Sequence, residues 1–217
     1  MKTIAVPYIE NLEQKRFEEL CLTMEENGSK AFMDTVCWPD DFPYMPDASF
    51  SIARSATHLV ILYRVCGLDL RAEALEDNGP VWEDSCCEFF VSDPEDGTYY
   101  NFEMNCIGTL LASKRKSRDD FRMFTEKQLV EIIRHSSLEK KRYDASGKLC
   151  TWQTAVCIPF RLIGADGSHL PESFRANFYK CADKAAHPHF LSWNPVEVPQ
   201  PDFHRPEFFG RLDIGTV

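Results

Sequence analysis

The sequence predicts an all-β fold, an antiparallel β-sandwich of jelly-roll type, preceded by one amphipathic helix. Three observations carry that expectation. Eight short runs are rich in β-branched, aromatic or sulfur side chains, several of them alternate apolar and polar residues with period two, and Gly, Pro, Asn and Asp punctuate the gaps. A chain of 217 residues, 44% hydrophobic and 12% aromatic, can bury a full core, and we expect one domain over 1–217.

The helix comes first. Phe17, Leu20, Cys21 and Met24 stand at i, i+3, i+4 and i+7, Asn11 and Gln14 offer a capping pair, and Gly28 offers a stop, so the helical extension is placed at about 11–27. Strands are expected at 50–54, 59–66, 86–91, 99–105, 129–135, 151–158, 175–182 and 208–214. The run 86–91 is entered from Asn78-Gly79-Pro80 and left at Ser92-Asp93-Pro94, which are turn formers. Residues 114–122 are dense in charge and read as a solvated loop or short helix. Five prolines make 187–207 a stiff, irregular segment, and such loops are often functional.

Composition narrows the function. A formal charge of −10 and a pI near 5.1 disfavour nucleic acid or an anionic membrane as partner. No apolar run reaches the roughly 18 residues of a spanning helix, and the first ten residues lack the core of a signal peptide. The expectation is a cytoplasmic protein as written, or an extracytoplasmic one if an export signal has been removed. Nine cysteines, an odd number with no repeating spacing, read as a reduced interior.

The candidate site begins at Trp82, six residues before Glu88 at the head of an apolar strand. A ring to stack on and a carboxylate to accept hydroxyl hydrogen bonds suit a non-catalytic sugar site. Alternation puts Glu88 on the face opposite Phe89. In 99–105 it separates Tyr100, Phe102 and Met104 from a hydrogen-bonding strip of Tyr99, Asn101, Glu103 and Asn105. In 175–181 it separates Ala176 and Phe178 from Arg175, Asn177 and Tyr179, and in 151–157 it sets Gln153 opposite Trp152 and Thr154. Planar amides and carboxylates suit vicinal hydroxyls. His204 is a candidate rim donor beside Phe203.

From about residue 47 onward the chain resembles the family 9 carbohydrate-binding modules, β-sandwiches often appended to xylanases. The residues that carry the resemblance are P-V-W-E-D-S-x-x-E-F-F from Pro80, N-F-E-M-N from Asn101 followed by Gly108, I-P-F from Ile158, N-F-Y from Asn177, S-W from Ser192 and F-F-G from Phe208. The resemblance implies a carbohydrate ligand of polysaccharide type, its sugar held between two aromatic rings. It assigns Trp82 as the first ring and Glu88 as the hydroxyl-binding carboxylate. Phe203 falls where the family has a second ring, a tryptophan. Glu103 stands where an arginine is expected, Tyr179 where a glutamine is expected, and Gln200 roughly where an asparagine is expected. The resemblance also implies structural calcium, for which Asp93, Asp96 and Gly97 are the candidates.

Other classes stay open at this stage. Glu88 and Glu103 on neighbouring strands could form the carboxylate pair of a glycoside hydrolase, which needs a separation of roughly 5–5.5 Å or 6.5–9.5 Å. Cys181, Asp183, His187, His189 and His204 could form a metal site, although the H-P-H spacing does not put two imidazoles on one helical face. A haem sandwich would want an axial side chain on the binding face, whereas parity places Met104 on the apolar one.

Overall fold

The computed structural model describes residues 1–215. In chain order the strands are β1 (Thr3–Ala5), β2 (Ser29–Phe32), β3 (Thr35–Val36), β4 (Asp47–Arg54), β5 (His58–Gly67), β6 (Leu70–Ala72), β7 (Cys86–Ser92) and β8 (Tyr99–Asn105). They continue as β9 (Leu110–Arg115), β10 (Phe121–Met123), β11 (Ile133–Ser136), β12 (Tyr143–Ala145), β13 (Cys150–Pro159), β14 (Ser173–Cys181), β15 (Phe190–Ser192) and β16 (Gly210–Asp213). Helix α1 covers Phe17–Asn27 and a single turn, α2, covers Glu126–Leu129.

Two sheets face each other. The larger runs β1-β16-β14-β7-β8-β9-β10, with β15 and β3 branching from β14; the smaller runs β11-β13-β5-β4-β2. Pairing is antiparallel except for β1 on β16. Between the sheets lies the main core. Phe50, Ile61, Tyr63, Val65 and Trp152 come from the small sheet and Phe89, Phe102, Met104 and Phe178 from the large one. Phe50 and Phe178 stack across the gap at 3.7 Å between centroids.

Each sheet also buries part of its outer face, which explains why the long strands read as nearly continuous apolar runs. On the small sheet, Val60, Leu62, Ala155 and Cys157 are covered by Leu20 and Met24 of α1. On the large sheet, Phe90, Tyr99, Leu111 and Tyr179 are covered by Trp38, Val196, Phe203 and Phe209. The irregular segment 193–209 therefore lies over the outer face of the large sheet.

The predicted alternation in β8 is observed: Tyr100, Phe102 and Met104 enter the inter-sheet core, while Tyr99 and Glu103 turn the other way. Four expectations need correction. Asn11 and Gln14 flank a separate turn at Leu12–Gln14, and α1 starts at Phe17 with Arg16 before it. Residues 129–135 divide between α2 and β11, because Thr125 and Gln128 form a reciprocal capping box that holds the first part helical. The stretch 114–122 is the expected exposed loop only at 116–120, and its two ends pair in the hairpin of β9 and β10. Gln153 lies on the α1 side of the small sheet, where it accepts from the Cys21 thiol, away from the large sheet's outer face.

Candidate functional site

The floor of the site is one row of side chains on the outer face of the large sheet. Register sets Leu111 opposite Glu103, Glu103 opposite Glu88, and Glu88 opposite Tyr179. Directly opposed residues place their Cβ atoms about 4.5–5.5 Å apart, so the two glutamates are immediate neighbours. Both are 4% exposed, and both line a cavity of about 290 Å³. One oxygen of each is engaged inside the protein. Cys181 donates to Glu88 Oε1 at 3.0 Å, and Asn101 Nδ2 donates to Glu103 Oε1 at 2.7 Å. Among the described residues neither second oxygen has a hydrogen-bond partner.

Trp82 forms one wall. It sits in a turn of 3-10 helix, Val81–Glu83. Val81 is wholly buried, and the buried Asp84 carboxylate accepts from the N–H groups of Glu73 and Ala74 and from Asn105. The turn is also tied to the end of β14, since Asp183 N–H donates to Trp82 O and Lys184 N–H to Glu83 O. Both flanks are therefore fixed while the indole remains 38% exposed. Trp38, Trp152 and Trp193 are each 7% exposed or less, so Trp82 alone among the tryptophans offers a face to a ligand.

The remaining wall comes from β9, β10 and segment 193–209. Arg115, Arg118, Asp119, Asp202, Phe203 and His204 line it. Arg115 donates from Nε to Asn101 Oδ1 at 2.8 Å and from a terminal nitrogen to Arg118 O at 2.6 Å, and it lies over the Phe121 ring. His204 shares a hydrogen bond of 3.1 Å with the Tyr99 hydroxyl. Burial and the two arginines push its imidazole down to about 3, so it is neutral at physiological pH.

Electrostatics of the floor follow from crowding two acids in a dry place. Burial first, then the neighbouring Glu103, push Glu88 well above the usual carboxylate range. Burial lifts Glu103 to about 7 against the opposing hydrogen bond from Asn101 and the charge of Arg115. Such a pair keeps a proton near neutrality. On the rim, loss of water on its pocket side and the nearby Glu83 raise Asp183 to about 6.

Of the residues singled out in the sequence, Trp82, Glu88, Glu103, Phe203 and His204 meet at this cavity. Three do not line it. Asn101 is wholly buried beneath the floor, where it links Glu103, Ser113 and Arg115. Tyr179 is wholly buried under Phe203, their rings stacked at 4.1 Å, and its hydroxyl donates to Phe203 O. Gln200 is exposed, next to the lining residue Pro201 but outside the wall. Phe203 is only 8% exposed, with one ring face on Tyr179 and Trp38 and Phe190 around it, so the expected pair of open plates is reduced to one. Arg115 was missed because it belongs to a charge run, yet Leu111, Ser113 and Arg115 share the parity of an outer-face strip.

The expected metal donors fare differently. Asp93 and Asp96 are bridged by the Lys114 ammonium at 2.9 Å to each, and Asp93 also accepts from Tyr100. A cationic side chain already occupies the place between the two carboxylates, so this donor set does not fit calcium. The histidines do not converge either: His187 pairs with Asp69, His189 with Lys180 and His204 with Tyr99. Cys86, Glu88 and Cys181 present donor atoms within 4.8 Å of one another. Burial raises the Cys86 thiol to about 12, and its bond to Cys86 and burial hold the Cys181 thiol well above its ordinary value, so both sit as protonated thiols.

Comparison with known proteins places the chain in a family. Residues 18–214 match the family model described as carbohydrate-binding family 9, a span that begins well before the resemblance at 47. The chain belongs to that family. A proposed carbohydrate-binding protein from Bacteroides uniformis is 35% identical, covers 99% of each chain and superposes with a TM-score of 0.87. A family 9 carbohydrate-binding module from Caldicellulosiruptor kristjanssonii, solved with cellotriose, is 11% identical over 98% of this chain and 93% of its own, with a TM-score of 0.57. The same organism's module solved with glucose gives 11%, 99%, 96% and 0.54. No curated protein matches the chain.

Proposed function

We propose that the protein binds carbohydrate without turning it over, at the cavity floored by Glu88 and Glu103. One observation carries the reading: an exposed indole with both flanks pinned shares a cavity with two buried carboxyls, each with an oxygen free. Trp82 supplies an apolar plate for a sugar face, and Glu88 and Glu103 supply acceptors, or one donor while they share a proton, for hydroxyls. His204 adds a donor from the opposite wall. Family membership and the fold shared with modules solved with cellotriose and glucose support a saccharide of this kind.

A binding role also suits the carboxyl arrangement. Glu88 and Glu103 stand side by side on one sheet face, so both approach a ligand from below. A glycoside hydrolase sets its two carboxyls on opposite sides of the bond it breaks. Affinity is expected in the micromolar to millimolar range, about 4–8 kcal/mol, because a small site with one open ring gathers few contacts.

The test is a calorimetric screen of mono- and oligosaccharides against wild type, Trp82→Ala and Glu88→Ala. Wild type should bind at least one saccharide, and each variant should lose that binding while keeping its thermal transition. Unchanged binding in both variants would move the site elsewhere, and release of reducing sugar by wild type would replace binding with hydrolysis.

A further inference from the structure

We propose that this site prefers an amino sugar, a saccharide carrying a protonated amine, over its neutral counterpart; the inference rests on the carbohydrate reading above. The argument is a charge census of the cavity wall. Five acids line it, Glu88, Glu103, Asp119, Asp183 and Asp202, against two arginines, Arg115 and Arg118. Arg115 is buried, and Arg118, on the exposed rim, is paired there. Arg118 lies 3.6 Å from Asp202, which Arg205 also meets at 2.8 Å, and Arg115 spends its guanidinium on Asn101, a main-chain carbonyl and the Phe121 ring.

Glu88, Glu103, Asp119 and Asp183 remain without a cationic partner within ion-pair distance among the described residues, and only Asp202 has one. Two of these are more than nine-tenths buried and aim an unpartnered oxygen into the cavity. A neutral hexose offers such a pair hydroxyls and leaves its charge uncompensated. An ammonium group offers three donors together with the missing positive charge, and charge-assisted hydrogen bonds are roughly twice as strong as neutral ones. Trp82 suits either sugar, because an indole face also attracts a nearby cation. Burial raises both carboxyls, and Glu103 raises Glu88 further.

Calorimetry at pH 7 and low salt, with glucose, glucosamine, N-acetylglucosamine and gluconate as probes, tests the preference on the wild-type chain. Glucosamine should bind at least about tenfold more tightly than glucose or N-acetylglucosamine, and gluconate more weakly than either. Glu103→Gln should bring glucosamine within about threefold of glucose. Asp183→Asn, on the exposed rim and safe for folding, should narrow the gap by a smaller factor. Equal binding of glucosamine and glucose, or tighter gluconate binding, overturns the amine preference and leaves carbohydrate binding standing. Binding of none of the four, nor of cello-oligosaccharides, overturns both.

Discussion

Trp82 shows how much of a site one residue type can reveal. Its spacing to Glu88 was readable because a large ring near a turn, followed by an acid inside an apolar strand, is an unusual use of both. What spacing did not show is the mechanism of exposure: a buried Val81 on one side and a buried Asp84 on the other leave the indole as the one member of its turn that faces the cavity. Arg115 was hidden for the opposite reason. Surface charge runs are common, and only strand register reveals that one member of this run turns inward. Arg115→Ala should cost about 1–3 kcal/mol in denaturant unfolding, because Asn101 Oδ1 loses its guanidinium donor and the Glu103 side chain loses its brace. Arg115→Lys should not restore stability, since an ammonium cannot reproduce the fork that spans Asn101 and Arg118.

At the scale of elements, long strands were legible and short ones were not. Residues 99–105 and the cores of β4, β5, β7, β13 and β14 declared themselves by apolar content and alternation. Three-residue strands such as β6, β10 and β12 carry too few side chains for a period to show. Helix α1 was placed by its apolar stripe, while its start was misplaced because Asn11 adopts a left-handed conformation in a separate turn. The terminal F-F-G block was noticed as a motif, and its physical reason is steric. A Cβ at Gly210 would lie 2.5 Å from the Trp193 ring and 2.9 Å from Lys2 O. Gly210→Ala is therefore expected to lower stability by about 1–3 kcal/mol, measured as a fall in the denaturation midpoint at unchanged slope. A wild-type midpoint in that variant would show that β16 does not pack against Trp193 as described.

At the scale of the whole molecule, stacking one sheet on another with partial cover on both outer faces leaves buried acids whose ionisation is coupled to folding. Burial tends to raise Asp93, but hydrogen bonds from Lys114, the Glu95 N–H and Tyr100 outweigh it and hold the carboxyl below its ordinary value. Its contribution is present above the unfolded value near 3.8 and is lost as pH falls through the folded one. The floor pair works in the other direction. With Glu103 lifted to about 7, the native state binds protons more tightly than the unfolded chain, so this contribution is present below 4.5 and is lost as pH rises through 7. Unfolding free energy should therefore peak in mildly acid solution. Glu103→Gln should flatten the decline between pH 4.5 and 7, by on the order of 1 kcal/mol or more. Denaturant curves at half-unit pH steps would show it, and an identical pH profile in the variant would refute the coupling.

The central claim is that a bound saccharide lies against the Trp82 indole. Tryptophan emission during titration with whichever saccharide binds is the most direct measurement, because the other three indoles are nearly inaccessible. The account predicts a saturable change in emission for wild type, with the same midpoint as calorimetry, and its absence in Trp82→Phe. Saccharide binding that leaves wild-type emission unchanged, or that perturbs Trp82→Phe equally, would contradict it.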